Sequence, residues 1–237
     1  MQRYFSNQKI DNNFILDKSD LRHIKTVMRM KNNDLVEVVY QNKLFIASIN
    51  NDNIKLEKET NDIINYKKIN LIIPLLKEQK MDLIIQKAVE LGVFEITLYK
   101  AERSIIKLDE KKLQTKLSRW SKIAKEAAEQ SKRLDIPSIK GLFNINDLKY
   151  NELSLICSTN EKQKNIKKVL QSNKNYDKIN ILVGPEGGLS INEEELLIKN
   201  KFEKITLGDR ILRVETVPIF LLSVINYESM EWSICTI

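Results

Sequence analysis

The alternation of apolar and polar residues changes rhythm once along this chain, near residue 68. Before that point the apolar residues come in short runs of strand character, at 14–16, 35–40, 44–49 and 54–57. The breaks between the runs hold Asn-Asn, Gln-Asn and Asn-Asp-Asn, residues that tolerate a left-handed backbone. A helix over residues 19–28 is predicted to interrupt these strands, with Ser19 or Asp20 capping its first turn. Residues 1–68 therefore read as a small β-barrel-like domain.

From residue 69 strand and helix patterns alternate. Strands are predicted at 69–75, 95–99, 153–157, 179–183 and 202–207. A helix over 80–91 places Leu83, Ile84, Lys87, Ala88 and Leu91 on one face and stops at Gly92. A long helix covers 109–132, with Pro137 shortly beyond it, and a polar helix lies near 161–171. Ser190 with Glu193 has the spacing of a capping box for a helix running to about residue 200. The last helix, 216–227, is apolar and tolerates Pro218 in its first turn. This order predicts an α/β domain over 69–237, a mostly parallel sheet with helices on both faces. No internal repeat is visible, and the one linker-like stretch is the short 172–175.

Composition changes the picture only modestly. The 237 residues are 42% hydrophobic and 30% charged, as in an ordinary globular protein. No apolar run is long enough to span a bilayer, and the first residues have no secretory pattern. Cys157 and Cys235 lie far apart and read as reduced thiols of a cytoplasmic protein. The net charge of +7 suits a polyanion such as RNA, although a chain so rich in Lys, Asn and Ile carries basic excess for compositional reasons too. On the long helix Lys116, Arg119, Lys122 and Lys125 recur every three or four residues, either tracking phosphates or forming a solvated face.

The chemistry is narrowed first by exclusion. His23 is the single histidine, so a Ser-His-Asp triad or a histidine metal site has almost nothing to draw on, and no metal is expected. Neither a Walker phosphate loop nor a G-x-G-x-x-G fingerprint occurs. What stands out is the placement of glycine. Three of the six glycines fall in Gly184-Pro185-Glu186-Gly187-Gly188, directly after an apolar strand. A fourth, Gly208, opens a second loop that carries Arg210, Arg213, Glu215 and Thr216. Two such loops at the ends of parallel strands suit a small-molecule pocket. A tight strand-to-helix turn without a ligand is the alternative for the first loop taken alone.

The segments 182–190 and 207–216 together resemble the signature of the RsmE family, 16S ribosomal RNA uracil-N3 methyltransferases of the SPOUT superfamily. The similarity extends over nearly the whole chain. Arg3-Tyr4-Phe5, His23 through Arg29, residues 86–93, Glu102-Arg103-Ser104, Trp120, Glu126-Ala127, Gln130-Ser131 and Arg133 through Pro137 resemble the family's other blocks. Leu189 stands where an aromatic is more usual, and Val217 where alanine is, which affects pocket shape more than chemistry.

The resemblance implies a C-terminal trefoil knot, an N-terminal PUA-like RNA-binding barrel, a homodimer and a bound S-adenosyl-L-methionine. It implies cofactor contacts from Val183, Gly184, Pro185, Glu186, Gly187, Gly188, Leu207, Gly208, Ile211, Leu212 and Arg213. RNA contacts are expected from Arg3, His23, Arg29, Arg103, Gln130 and Arg133. The implied substrate is 16S rRNA or the small ribosomal subunit, with the target uridine unpaired because N3 lies on the pairing edge. Arg213 is the expected stabiliser of negative charge on the base, and Glu215 or Glu186 the expected proton acceptor. Two other readings stay open: a SPOUT enzyme acting on a ribose 2′-hydroxyl or another RNA, and a non-catalytic RNA-binding protein of the same fold.

Overall fold

In the computed structural model, which describes residues 1–51, 53–60, 67–104, 106, 108–150, 152–173 and 176–229, the early apolar runs pair into one six-stranded sheet. Its strands are β1 (Arg3–Phe5), β2 (Gln8–Ile10), β3 (Asn13–Ile15), β4 (Leu35–Tyr40), β5 (Lys43–Asn50) and β6 (Asn53–Glu59), in the order β1-β4-β5-β6-β3-β2. Every pairing is antiparallel except β1 beside β4. The β4–β5 turn places Gln41 at φ 51° and Asn42 at φ 59°, and Asn51 has φ 56°, the left-handed backbone that these turn residues allow. Ser6 gathers the sheet's far members. Its amide donates to Val39 of β4 at 2.9 Å and its hydroxyl to Ile15 of β3 at 2.7 Å. Tyr4, Phe14, Ile24, Val36, Val38, Phe45, Ala47 and Ile54 fill the interior.

The helix expected over 19–28 is two pieces. A single α-turn, α1 (Lys18–Arg22), runs into a π-helix at His23–Val27, closed by the Met28 amide on the His23 carbonyl at 2.9 Å. Neither Ser19 nor Asp20 caps it. Asp17 holds the cap position without a side-chain bond, and Asp20 is buried with its carboxylate 2.6 Å from Lys125 Nζ. β1 and β2 escape a pattern reading because three residues carry almost no periodicity.

The second sheet contains β7 (Lys68–Pro74), β8 (Glu95–Lys100), β9 (Ser138–Asn144), β10 (Leu153–Cys157), β11 (Lys178–Leu182) and β12 (Glu203–Ile205), in the order β12-β10-β11-β7-β8-β9. All five pairings are parallel. The helices are α2 (Glu78–Glu90), α3 (Glu110–Gln130), α4 (Ile166–Ser172), α5 (Ile191–Lys199) and α6 (Thr216–Ser229). By contact density the chain forms two units, Met1–Asn65 with Lys125–Ile136, and Tyr66–Ala124 with Pro137–Ile237. Lys174 and Asn175 of the linker-like stretch, and Cys235, lie outside the described residues.

Several expectations need correction. α2 buries Met81, Ile84, Ile85, Ala88 and Val89, whereas Leu83 is 39% exposed, so the apolar stripe is rotated from the one predicted. The polar helix starts only at Ile166, where the Asn165 side chain accepts the Lys168 amide. β12 ends at Ile205, because Thr206 leaves β10 to bridge Asn165. β9 was not expected at all. It is a half-exposed edge strand, and Gly141 is the extra residue where its register against β8 shifts. By contrast, Gly92 (φ 83°) stops α2, and Ser190 and Glu193 form the full capping box of α5.

One face of this sheet carries Ile72, Tyr99, Ile156 and Leu182 in a cluster with Leu197 of α5. Leu71, Ile73, Leu155 and Ile181, which point the other way, are equally buried, so both faces are covered. Deeper on the first face runs a row of buried polar side chains. Thr97 Oγ1 donates to Asn70 Oδ1 at 3.0 Å, Asn70 Nδ2 to Asn180 Oδ1 at 3.1 Å, and Asn180 Nδ2 to Ser154 Oγ at 3.2 Å. The row crosses four strands, and the Ser154 hydroxyl donates to the Glu152 carbonyl at 2.9 Å. Replacing Asn180 with Leu leaves the buried Asn70 Nδ2 without its acceptor and Ser154 Oγ without its donor. Denaturant unfolding should register a loss of about 2 to 4 kcal/mol.

The first unit holds a second buried polar group of opposite character. Glu129, near the end of α3, is 8% exposed. Burial, with the Asp20 charge beside it, pushes its carboxyl up to about 7, while Lys125 and the Phe5 amide pull the other way. A raised carboxyl makes the folded state hold a proton that the unfolded chain releases. Stability from this site is therefore present below the unfolded value near 4.5 and lost as pH rises through about 7. Thermal melts of Glu129→Gln against the native chain should show it: the variant gains on the order of 1 to 3 kcal/mol at pH 8 and little at pH 5.

Candidate active site

Because all six strands of the second sheet run parallel, the segments after β7, β8, β11 and β12 leave it at the same edge. From β7 the chain moves through α2 to β8 on one side. From β11 it moves through α5 to β12 on the other. The order reverses between β7 and β11, and the crevice outside such a reversal is where open α/β sheets bind ligands.

The glycine-rich loop grows from the end of β11. The Val183 amide still bonds Ile72 at 2.9 Å, and its carbonyl accepts the buried Tyr99 hydroxyl at 3.0 Å. The chain then turns sharply, with the Gly188 amide on the Pro185 carbonyl at 2.8 Å and Gly188 at φ 69°. Arg103, from the segment after β8, donates to the carbonyls of Gly187 at 2.9 Å and Leu189 at 3.3 Å. The same segment is fixed at its base by Ser104 on the Leu75 carbonyl and by the Glu102 amide on Glu193 Oε1, at 3.0 and 2.7 Å. A Cβ at Gly184 would come into van der Waals contact with Leu189 at 3.4 Å.

The second loop follows β12. Gly208 has φ 109° and its amide bonds Thr206 Oγ1 at 3.3 Å. Ile211 is 85% exposed, Leu207 and Leu212 are half-buried, and Arg213 is exposed. The Arg213 carbonyl accepts the Thr216 amide at 2.9 Å and the Val217 amide at 3.2 Å, which starts α6.

The two loops meet at one ammonium group. Lys80, in the first turn of α2, places Nζ 3.1 Å from Glu186 and 3.3 Å from Glu215. The Glu215 contact is an ion pair with poor hydrogen-bond geometry, since Oε2 makes no directed bond. The Glu215 carboxyl is held below the usual range, chiefly by its own amide and then by Lys80 and Arg213. It stays ionised near neutrality and is correspondingly a weak proton acceptor.

Residues 183–188 and 207–215 thus form one constellation in the second unit, joined there by Arg103. Arg3, His23, Arg29, Gln130 and Arg133 belong to the first unit. Arg3 and Arg133 are buried. Arg3 bonds Glu37 at 2.8 Å and the Lys132 and Arg133 carbonyls, and Arg133 pairs with Asp135 at 2.8 Å, so both guanidinium groups hold the fold rather than face a phosphate. His23 accepts or donates at Tyr4, 3.0 Å away, while Arg29 (φ 52°) and Gln130 are exposed. Lys116 and Arg119 pair with Glu78, Arg119 also with Asp82, and Lys125 with Asp17 and Asp20, which makes that stretch of α3 a paired face.

Pattern reading missed Lys80. The available signal was a lysine in the first turn of a helix, where the backbone dipole disfavours a cation unless acids lie beyond the helix end. A separate hollow of about 350 Å³ lined by Lys164, Lys168, Val169 and Glu203 contains none of the loop residues.

A family profile described as an RNA methyltransferase domain matches residues 64–226, and one described as an RNA methyltransferase PUA domain matches 16–59. A Bacillus subtilis protein named ribosomal RNA small subunit methyltransferase E is 33% identical, covering 97% of both chains. One of the same name from Mesomycoplasma hyopneumoniae is 38% identical over 94% of this chain and 98% of the relative. The crystal structure of a ribosomal RNA small subunit methyltransferase E from Neisseria gonorrhoeae, bound to S-adenosyl methionine, superposes with a TM-score of 0.85 at 27% identity, covering 96% and 97%.

Proposed function

Because this chain belongs to the RNA methyltransferase family of the ribosomal RNA small subunit methyltransferase E type, we propose that it methylates N3 of an unpaired uridine in 16S rRNA, using S-adenosylmethionine. The observation that carries the site assignment is the convergence of the two loops on Lys80 at the edge where the strand order reverses. The residues fit the donor. Gly187, Gly188 and Gly208 leave backbone exposed, a Cβ at Gly188 or Gly208 would meet nothing within 4 Å, and Leu207, Ile211 and Leu212 are apolar side chains not used up by the core.

When bound, the donor supplies an activated methyl group, so the protein's task is to place the acceptor and to favour loss of the N3 proton. Arg213, exposed beside Glu215, is the proposed stabiliser of the uracil oxygens as negative charge develops. Glu186 and Glu215 are the proposed acceptors of the proton. Glu186 is better suited, being the more exposed, while Glu215 is held low by its own amide. Among the described residues no cluster of His, Cys, Asp or Glu is placed to hold a metal, and no helix is long and apolar enough to cross a membrane.

The finer parts of the proposal rest on the resemblance to SPOUT enzymes. They are a first domain over 1–68 that binds RNA through His23 and Arg29, a knotted second domain over 69–237 whose Gln130 also contacts RNA, a homodimer, and a cytoplasmic site of work. Light scattering should return about twice the 27.7 kDa chain mass, and a monomer at micromolar concentration would remove the homodimer.

The direct test uses unmodified small ribosomal subunits, labelled S-adenosylmethionine and mapping of the modified nucleotide. Label on uridine N3 is expected, and label on a ribose hydroxyl would overturn the assignment. Replacing Arg213 with Ala should lower turnover by about 100-fold or more. Cofactor affinity measured by calorimetry should change far less, and an equal loss of both would make Arg213 a cofactor ligand instead.

A further inference from the structure

Glu186 and Glu215 stand on different loops, one after β11 and one after β12, and among the described residues no direct hydrogen bond joins those loops. The Lys80 ammonium is the group they share, at 3.1 and 3.3 Å. Its own helix offers it no competing partner. Glu78 and Asp82, the acids of α2 flanking it, are taken by Arg119, and Glu78 by Lys116 as well. The side chain is 31% exposed, so the fold's interior does not depend on it. Two carboxylates on separate loops repel when brought together, and a single cation between them turns that repulsion into attraction.

We propose that Lys80 is a positioning residue that sets the spacing of the glycine-rich loop and the arginine loop, so that both engage one methyl donor. The inference rests on the methyl-donor reading of these loops and adds a residue to it. Lys80 itself touches neither the donor nor the acceptor. It lowers the free energy needed to close the two loops, which appears as donor affinity rather than as chemistry on the bound complex.

The test measures S-adenosylmethionine binding by calorimetry and methylation of unmodified small subunits, with the full chain throughout. Lys80→Met should weaken binding and raise the KM for the donor by about five- to tenfold. The change in kcat at saturating donor should be smaller than the loss of affinity, and Lys80→Arg should restore most of the affinity. On a background of Glu186→Gln with Glu215→Gln, adding Lys80→Met should produce no further loss of affinity, because the coupling has already been removed. Lys112→Met, at an exposed pair with Asp109, serves as the unaffected control. Native affinity in Lys80→Met, a collapse of kcat with unchanged affinity, or a full additional loss on the double background each overturns the proposal. Should Lys80→Met fail to fold, the Glu186→Gln and Glu215→Gln pair decides alone, and unchanged affinity there overturns it. A native chain that neither binds nor uses the donor overturns the functional reading, and this one with it. Native binding with an indifferent Lys80 overturns only this one.

Discussion

The register of β7 against β11 is the constraint on which the site depends. Neither strand carries a functional side chain of its own, but the loops that do are extensions of their ends. A slip of one residue would turn Asn70 and Asn180 to the opposite face and separate them from Thr97 and Ser154. Apolar residues do not protect against such a slip here, because β7 and β11 are buried on both faces and Ile or Leu suits either. Only the polar row distinguishes the faces. With it in place, Val183 meets Ile72 and Tyr99, and the bend at Gly184 begins at a defined height above the sheet.

Above that edge the organising force changes from packing to charge. Arg103 draws the carbonyls of the glycine-rich loop, and Lys80 draws the carboxylates of both loops. Each contact is partly exposed and individually weak. Their value is geometric, for they tie segments from different strands to one another.

Most of this architecture was legible where period and punctuation agree. Strands at 69–75 and 153–157 are apolar runs with clear ends, and Gly92 and Ser190-Glu193 mark a helix stop and a helix start by their chemistry. The glycine-rich and arginine loops stand out as a candidate site because a glycine-poor chain spends four of its six glycines there. The illegible parts have physical reasons. β9 is an edge strand with half its residues in water, so it lacks an apolar run. The π-helix at His23–Val27 differs from an α-helix by one residue in its hydrogen bonding, which no apolar spacing encodes. Lys80 was invisible because its partners lie more than 100 residues away.

The same distance effect explains why bulk charge was a poor guide to RNA contact. Counted along the sequence, α3 is a basic helix and Arg3 and Arg133 are arginines in suggestive surroundings. In three dimensions Glu78, Asp82, Asp17 and Asp20 arrive from other elements and neutralise Lys116, Arg119 and Lys125, while Glu37 and Asp135 take the two arginines. A cation already paired releases no counterion from a phosphate without first losing its acid, so it adds little to affinity for a polyanion. Net charge then describes the long-range attraction of RNA to this protein. Exposure and pairing, which a count of lysines and arginines does not record, separate groups such as the exposed Arg29 from the buried Arg3 and Arg133.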